Sequence, residues 1–208
     1  MASANVSFDN IPASIRKPGK YFEFNTKLAV RTLATNPQTV LIVAQKTAEG
    51  TAPENAPVRV FDTDMAGKLF GFGSQAARMV RAAMRAYGYV DLSVLPVADD
   101  SAGIAASGSL KLTGDATAQG VITLTVADME VAIAAAAGDA AASLATALAS
   151  AVNAERDMPV TAQAATGTVT LTAKNKGTLG NGIALSYACT VPGITPTLAK
   201  MTGGQKDP

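Results

Sequence analysis

The stretch SQAARMVRAAMRAYGYVDLSVLPV, residues 74–97, decides the fold of the first half of this chain. Ser74 is suited to cap a helix, because its hydroxyl can accept a hydrogen bond from a free amide of the first turn. Small and apolar side chains then recur at three- and four-residue spacing and predict a buried stripe. The stripe consists of Ala76, Met79, Val80, Ala83 and Tyr87. Gly88 ends the helix, and DLSVLPV, Asp91–Val97, predicts a strand.

An apolar run before this stretch predicts a second strand. TVLIVA, Thr39–Ala44, is typical of a strand buried on both faces of a parallel sheet. Asp62 is a suitable N-cap for a short helix that ends near Phe70, followed by Gly71. The order strand, helix, strand predicts a right-handed parallel crossover. Two strands and their helices cannot cover both faces of a sheet, so we expect this partial α/β unit to receive further strands.

The second half of the chain predicts a β-rich domain. After a small-residue linker, Asp99–Gly108, the composition shifts to alternating threonine, valine and glycine, which indicates mostly antiparallel strands. One helix, Asp139–Asn153, would lie across them with Leu144, Ala147, Leu148, Ala151 and Val152 on its buried face. The predicted strands are Ser109–Thr113, Gly120–Val126, Met129–Ala134, Pro159–Ala164, Thr168–Ala173 and Ile183–Thr190.

These patterns together predict an α+β fold in four segments. Residues 1–26 form an extended N-terminal arm, 27–100 a partial α/β core, 101–190 an inserted β-rich domain with one helix, and 191–208 an unstructured linker. The linker prediction rests on the prolines and glycines of the tail.

The composition excludes several classes of function. The chain has no histidine and one cysteine, Cys189, which excludes Ser-His-Asp and Cys-His nucleophiles, zinc sites and iron–sulfur clusters. A net charge of +1 without a basic block makes nucleic acid an unsuitable partner. No apolar run reaches membrane-spanning length, and MASANVSFDN is no secretory signal. We therefore expect no enzyme, cofactor, metal or membrane insertion.

Two glycine-rich loops and two aspartate pairs are weak candidates for chemistry. GFGSQA, residues 71–76, could bind phosphate at a helix N-terminus, but an ordinary turn with an N-cap explains it. KNKGTLGNG, residues 174–182, lacks the nucleotide-loop pattern and predicts a hairpin or domain-edge loop. Asp62 with Asp64, and Asp99 with Asp100, lack the spacing of a calcium loop and suit caps and linkers.

The segment SFDNIPASIRKPGKYFEFNTKLAVRTLATNPQTVLIVAQ, residues 7–45, indicates assembly, and its first part belongs to the extended arm of residues 1–26. Its prolines prevent a continuous helix, and the strand-like run YFEFN places Tyr21, Phe22 and Phe24 close together. These aromatic side chains either pack on the chain's own first domain or add as a strand to a neighbouring subunit.

A basic stripe is predicted on the helix of residues 75–87. Arg78, Arg81 and Arg85 stand at i, i+3 and i+7, opposite the apolar face. The stripe is either a solvated helix face or a surface that meets acidic residues of an adjacent subunit.

Three blocks of the sequence resemble the tail sheath proteins of Mu-like contractile-tailed bacteriophages and prophages. They are the segment from Ile11 to Gln45, VRVFDTDMAGKLFGFGSQAARMVRAAMRAYGYVDLSVLPV (Val58–Val97), and the segment from Gly138 to Leu185. The resemblance covers most of the chain. Sheath proteins of this kind are about twice as long or more, so we expect an N-terminal portion that lacks the family's C-terminal half.

This resemblance implies a structural subunit that polymerises helically around a tail tube and contracts to drive the tube through the host envelope. The implied partners are copies of the chain itself, the tail tube protein, the baseplate and the tail terminator. The implied location is the virion, after assembly in the host cytoplasm. The alternative from the residues is a β-rich surface adhesin or carbohydrate-binding module, although such modules usually present tryptophan or several tyrosines.

Overall fold

The computed structural model describes residues 18–20, 39–88 and 91–208. Tyr21, Phe22 and Phe24, and most of the predicted arm, lie outside the described residues. The chain divides into two units, and every helix and strand of the described residues belongs to the second, Gln38–Pro208.

The described residues form a mixed α+β fold, as predicted. The helices are α1 (Thr63–Phe70), α2 (Gln75–Ala86) and α3 (Ala141–Ala154), with a short 3-10 helix at Thr178–Gly182. The strands are β1 (Thr39–Gln45), β2 (Val58–Val60), β3 (Asp91–Val97), β4 (Ala105–Thr113), β5 (Gly120–Val126), β6 (Met129–Ala135), β7 (Val160–Ala165), β8 (Thr168–Lys176), β9 (Leu185–Cys189) and β10 (Thr195–Thr202).

The first three strands and helices α1 and α2 form an α/β layer. Its sheet has the order β1-β3-β2, and β1 runs parallel to β3 with Ile42 opposite Val94. The parallel pairing was predicted, but the antiparallel strand β2 was missed because three residues are too short for a periodicity to show. Phe70 of α1 and Val80 of α2 are fully buried with the side chains on one face of this sheet.

The prediction that β1 is buried on both faces is wrong. Leu41 and Val43 are 57% and 56% exposed, whereas Ile42 and Ala44 on the other face are buried. Alternate side chains of a strand point to opposite faces, and here the two helices cover only one. Within the described residues, β1 is also an edge strand that pairs with β3 alone.

The predicted helix caps are confirmed, but the predicted stripe of α2 is partly wrong. Asp62 accepts a hydrogen bond from Asp64 N, and Ser74 accepts one from Ala77 N. Met79 and Tyr87 are 40% and 64% exposed, and Ala77 is buried instead. Periodicity gives the spacing of a stripe but not its rotation, which here depends on the packing of α2 against residues far away in the sequence.

The remaining strands form a β domain with a single core. Its two antiparallel sheets have the orders β10-β4-β8-β7 and β6-β5-β9. Side chains from both sheets and from α3 meet in one apolar cluster, in which Leu110, Leu171, Leu124 and Leu148 are fully buried. This confirms a mostly antiparallel domain that carries one helix.

Three predicted boundaries in this half are wrong. β4 begins at Ala105 inside the predicted linker, and α3 begins at Ala141 because the Asp139 carboxylate accepts from Ala136 N instead of capping the helix. Residues 191–208 are not an unstructured linker, since β10 pairs with β4. Pro196 suggested a loop, but proline is tolerated in an edge strand, which is the position of β10.

Candidate functional site

The candidate functional site is the joint between the α/β layer and the β domain. Each side has its own apolar core, and the two clusters share no buried residue. Residues 98–104 are the covalent connection between β3 and β4. Hydrogen bonds and ion pairs cross this joint, which makes it resemble the polar interfaces between domains of one chain.

Asn175, in strand β8, connects three segments at the centre of the joint. Its Oδ1 accepts from Gln75 N at 2.8 Å and therefore satisfies a free amide in the first turn of α2. Its Nδ2 donates to the Lys46 carbonyl at 3.2 Å and to Asp99 Oδ1 at 3.1 Å. One side chain of the β domain thus holds the start of α2, the end of β1 and the linker.

Lys174 makes a second polar connection close by. Its ammonium donates to the carbonyl oxygens of Phe72 at 3.0 Å and Arg156 at 2.8 Å. Partial burial lowers the pKa of Lys174, because the charged form loses water that two neutral carbonyls replace only in part. Gly73 lies against the same place with φ +79°, and an added Cβ would overlap the Met158 carbonyl. The backbones of the two sides therefore touch here.

The predicted basic stripe faces the β domain of the same chain. Arg78 donates to Asp128 Oδ1 at 2.7 Å, and Arg81 pairs with Asp157. The hydrogen bond from Arg78 is the main reason that the pKa of Asp128 lies below its ordinary value. Both arginine side chains are about one-third exposed, at 31% and 30%.

Arg85, the last member of the stripe, is exposed and makes no ion pair with any residue that the structure describes. All three arginines nevertheless line one small pocket of about 100 Å³ with Asp128. The structure therefore brings Arg78, Arg81 and Arg85 together as predicted. Their contact with another subunit stays a prediction, as does the role of Tyr21, Phe22 and Phe24.

A further contact closes the joint at α1. Arg156 donates to Asp64 Oδ1 at 3.1 Å, and its guanidinium lies 4.2 Å from the centre of the Phe72 ring. Asp64 also pairs with Lys68 at 2.8 Å, and the hydrogen bond from Lys68 is the main reason that the pKa of Asp64 is lowered. The exposed partners make this a weak connection.

A cleft of about 470 Å³ opens in the joint between α2 and the 3-10 helix. Gln45 lines it and is only 3% exposed. The Gln45 Nε2 donates to the Lys176 carbonyl at 3.1 Å, whereas its buried Oε1 has no hydrogen-bond partner among the residues that the structure describes. The walls include Met79, Ala82, Pro159, Leu179 and Ile183, with Arg78 also contributing.

The aspartates considered above as candidates for catalysis or calcium binding form hydrogen bonds within the fold. Asp62 caps α1, and Asp99 accepts from Asn175 Nδ2 and Lys176 N. In the described ranges, no group of three or more cysteine or acidic side chains could hold a metal ion. None of the helices in the described part is both long and apolar enough to cross a membrane. GFGSQA is a turn followed by an N-cap, and KNKGTLGNG runs from the end of β8 through the 3-10 helix.

The residues that form the polar contacts across the joint were not predicted from the sequence. Lys174 and Asn175 were part of the interpreted loop, and Asp128 and Asp157 were not singled out. A signal existed, since KNK continues a strand of threonine and valine with three long polar side chains. Such a change inside one strand indicates that its end leaves the core and meets a polar neighbour.

Comparison with known proteins identifies the relatives of this chain. No protein-family model matches it. The chain is 36% identical over 209 aligned positions to the Mu-like prophage FluMu tail sheath protein of Haemophilus influenzae (strain ATCC 51907 / DSM 11121 / KW20 / Rd). The alignment covers 98% of this chain and 43% of that protein, so the chain spans less than half the length of its curated relative. The resemblance read from the sequence is thereby confirmed: this chain is a relative of the Mu-like prophage tail sheath proteins.

Proposed function

We propose that the chain forms part of a contractile phage tail sheath subunit and acts as a structural protein, not as an enzyme. The observation that carries this proposal is the 36% identity to a tail sheath protein over 98% of the chain. The engaged carboxylates and the absence of histidine from the chain support a structural role.

In this proposal, copies of the subunit polymerise helically around the tail tube, between baseplate and tail terminator. The sheath is assembled in the host cytoplasm and works in the virion. Contraction drives the tube through the host envelope so that the phage genome enters the cell. The work comes from the difference in packing free energy between two lattices, so no nucleotide is required.

The open face of the α/β layer supports an assembly role. Leu41 and Val43 project from the face of the sheet that helices α1 and α2 leave uncovered. The outer edge of β1 also offers backbone groups that a further strand could pair with. We propose that additional strands, from the rest of a longer subunit or from a neighbour, complete this sheet.

The ends of the β domain support its organisation as an insertion. Ile104 N donates to the Gln205 carbonyl at 3.0 Å, and Gln205 N donates back to the Ile104 carbonyl at 3.1 Å. The strands that begin and end this domain thus lie side by side. An insertion requires such an arrangement, because the chain must return to the layer that it left.

We propose two contacts between subunits. The arm, with Tyr21, Phe22 and Phe24, adds to a neighbouring subunit and keeps copies linked during contraction. The stripe of Arg78, Arg81 and Arg85 meets acidic residues of a neighbour in one of the two lattices. Arg85 has no ion pair with a described residue of its own chain, whereas Arg78 and Arg81 would exchange their pairs with Asp128 and Asp157.

Negative-stain electron microscopy tests the proposal. This chain is compared with a version extended to the length of its relative through the natural reading frame. We expect striated tubes or rings from the longer protein and monomers from the 208-residue chain. Discrete particles from both would remove the sheath proposal, and glycan-dependent retention would then test the carbohydrate-binding alternative.

Two variants of the longer protein test the contacts. Deletion of residues 1–26 should abolish tubes and leave the β domain folded; normal tubes would exclude the arm contact. Arg85→Glu should impair assembly if the stripe meets a neighbour, because Arg85 is exposed and has no ion pair with a described residue of its own chain. Arg85→Met is the matched control, because it removes the charge but not the length of the side chain.

A further inference from the structure

We propose that the small pocket beside α2 is a binding site for one inorganic oxyanion, phosphate, and that Asp128 limits its affinity. We call it the arginine pocket, and its lining residues are Arg78, Arg81, Ala82, Arg85, Asp128 and Met129. Three of these six side chains carry a guanidinium group, and one carries a carboxylate. All of them belong to one chain, so the site does not rest on the proposed self-assembly.

The arginine pocket keeps a positive charge after its ion pairs are counted. Arg78 pairs with Asp128, and Arg81 pairs with Asp157. Arg85 has no ion pair with a described residue, so its charge is left over. Charges of one sign that line a pocket with protein walls attract a counter-ion more strongly than the same charges spread over an open surface. The pocket therefore favours an anion.

The arginines also keep hydrogen-bond donors for a ligand. A guanidinium group has five N–H donors, and a carboxylate takes at most two of them in a fork geometry. Arg78 and Arg81 are 31% and 30% exposed, so a ligand can reach both side chains from the solvent. Their ion pairs hold them in place, which reduces the conformational entropy that is lost when a ligand binds.

The size and shape of the arginine pocket select the ligand. Its volume of about 100 Å³ lies well below the roughly 300 Å³ at which pockets for organic ligands begin. Ala82 follows Arg78 by four residues and precedes Arg85 by three, so its small side chain leaves space between them on one helix face. A tetrahedral oxyanion can meet three guanidinium groups, whereas a carboxylate offers two oxygens in one plane. The matching ligand is phosphate.

Asp128 competes with such a ligand from within the chain. It lies in the turn between β5 and β6, and its Oδ1 is 2.7 Å from a guanidinium nitrogen of Arg78. The hydrogen bond from Arg78 is the main cause of its lowered pKa, and the positive charge of Arg85 adds to the effect. The Asp128 carboxylate thus interacts with two of the three arginines and repels a second negative charge. Its presence should keep the affinity for phosphate low.

Titration of the 208-residue chain with sodium phosphate tests the site, with the ionic strength held constant by sodium chloride. NMR follows the Nε–H groups of Arg78, Arg81 and Arg85, and we expect saturable shifts at all three. Sodium acetate is the matched probe for a carboxylate and should bind at least about fivefold more weakly. The same shifts with chloride alone would indicate screening and overturn the site. Equal affinity for acetate would overturn the choice of a tetrahedral ligand.

Two charge variants test the roles of the lining residues. Asp128→Asn removes the competing charge and should tighten phosphate binding about tenfold. Arg85→Met should weaken binding about fivefold, and Arg59→Met is its control because Arg59 is an exposed arginine outside the pocket. Unchanged affinity in Asp128→Asn would exclude the competition. Equal effects of Arg85→Met and Arg59→Met would show that only the net charge matters, which would overturn the site.

A pair of uncharged substitutions tests the space in the pocket. Ala82→Leu should fill the arginine pocket and prevent phosphate binding without any change of charge. Ala86→Leu is the control, because Ala86 is exposed on the same helix and does not line the pocket. Circular dichroism verifies that both variants are folded. Phosphate binding that persists in folded Ala82→Leu would show that the anion lies elsewhere.

Discussion

The α/β layer and the β domain differ in how completely they bury their apolar side chains. The β domain surrounds its core with two sheets and a helix, so that Leu110, Leu124 and Leu148 lose all contact with water. The α/β layer buries one face of its sheet and leaves Leu41 and Val43 more than half exposed on the other. The β domain therefore encloses its apolar core, whereas the α/β layer exposes apolar side chains on one face of its sheet.

The joint between them shows how two such bodies can be held without a common core. Asn175, Lys174 and the arginines of α2 make directional contacts, and the apolar clusters remain separate. Directional polar contacts set an orientation but add little net stability, because water competes for the same groups. The polar contacts therefore fix the orientation of the α/β layer relative to the β domain, but they contribute little to the free energy of unfolding.

The largest expected effect is the difference between a substitution in the core of the β domain and one on the exposed face of β1. Leu171→Ala in β8 should lower the free energy of unfolding by about 2–5 kcal/mol, because it leaves a cavity among fully buried side chains. Leu41→Ala removes the same atoms from a side chain that is 57% exposed and should change it by less than about 0.5 kcal/mol. Urea denaturation followed by circular dichroism measures both. Similar losses would show that the outer face of β1 is covered in solution.

A glycine substitution tests the closeness of the two parts. Gly73→Ala should lower the free energy of unfolding by about 1–3 kcal/mol, since the added methyl group meets the Met158 carbonyl at a positive φ. Gly138→Ala has the same backbone strain with no atom within 4 Å of the new Cβ, and Gly88→Ala has neither the strain nor a neighbour within that distance. The loss in free energy of unfolding should be largest for Gly73→Ala, smaller for Gly138→Ala and smallest for Gly88→Ala. If Gly73→Ala were no worse than Gly138→Ala, the contact at the joint would be refuted.

An arginine pair tests the ionic part of the joint. Arg81→Ala removes the partner of Asp157 and should lower the free energy of unfolding by about 0.2–1 kcal/mol at low salt. Arg85→Ala, on the same helix, removes a charge that has no ion pair in the described structure and should have less effect. The difference in free energy of unfolding between the two variants should be smaller at 1 M salt than at low salt, because salt screens exposed charges. Equal effects of the two variants would contradict this assignment.

The smallest expected effect is a dependence on pH. The pKa of Asp128 is lower in the folded chain, so its pairing with Arg78 stabilises the fold above the ordinary aspartate pKa of about 3.9. This stabilisation is lost as the pH falls through the lowered value. The difference in free energy of unfolding between the parent chain and Arg78→Ala should therefore be constant near neutral pH and shrink on acidification below about pH 4.

Asp128→Asn is the control for this effect. In that background, Arg78→Ala should have the same consequence at every pH, because the titrating group has been removed. A difference that stays constant down to about pH 2 in the parent background would contradict the pairing.

Much of the local structure was predictable because it depends on neighbours along the chain. Both caps, at Asp62 and Ser74, and the strand Asp91–Val97 were predicted where the structure places them. Capping and strand alternation are local, so a short window of sequence contains the required information. The short strand β2 and the edge strand β10 were missed, since the partners that define them lie far away in the sequence.

The candidate site was predicted only in part. The spacing of Arg78, Arg81 and Arg85 placed them on one helix face, but it could not show that Asp128 and Asp157 of the same chain meet the first two. The exposure of Met79 and Tyr87 was not predicted either, because the periodicity of a helix gives the spacing of its apolar positions and not which of them meet a neighbouring element.

The sequence by itself determined the α+β class, the positions of the three helices, the relation to tail sheath proteins and the unsuitability of histidine-based chemistry. These conclusions depend on composition, periodicity and similarity, which are properties of the linear chain. Only the tertiary structure decided which face of β1 stays open, where residues 191–208 go, and that the buried Gln45 Oε1 has no hydrogen-bond partner among the described residues. Each of these depends on contacts between residues that are distant in sequence, and no local pattern records them.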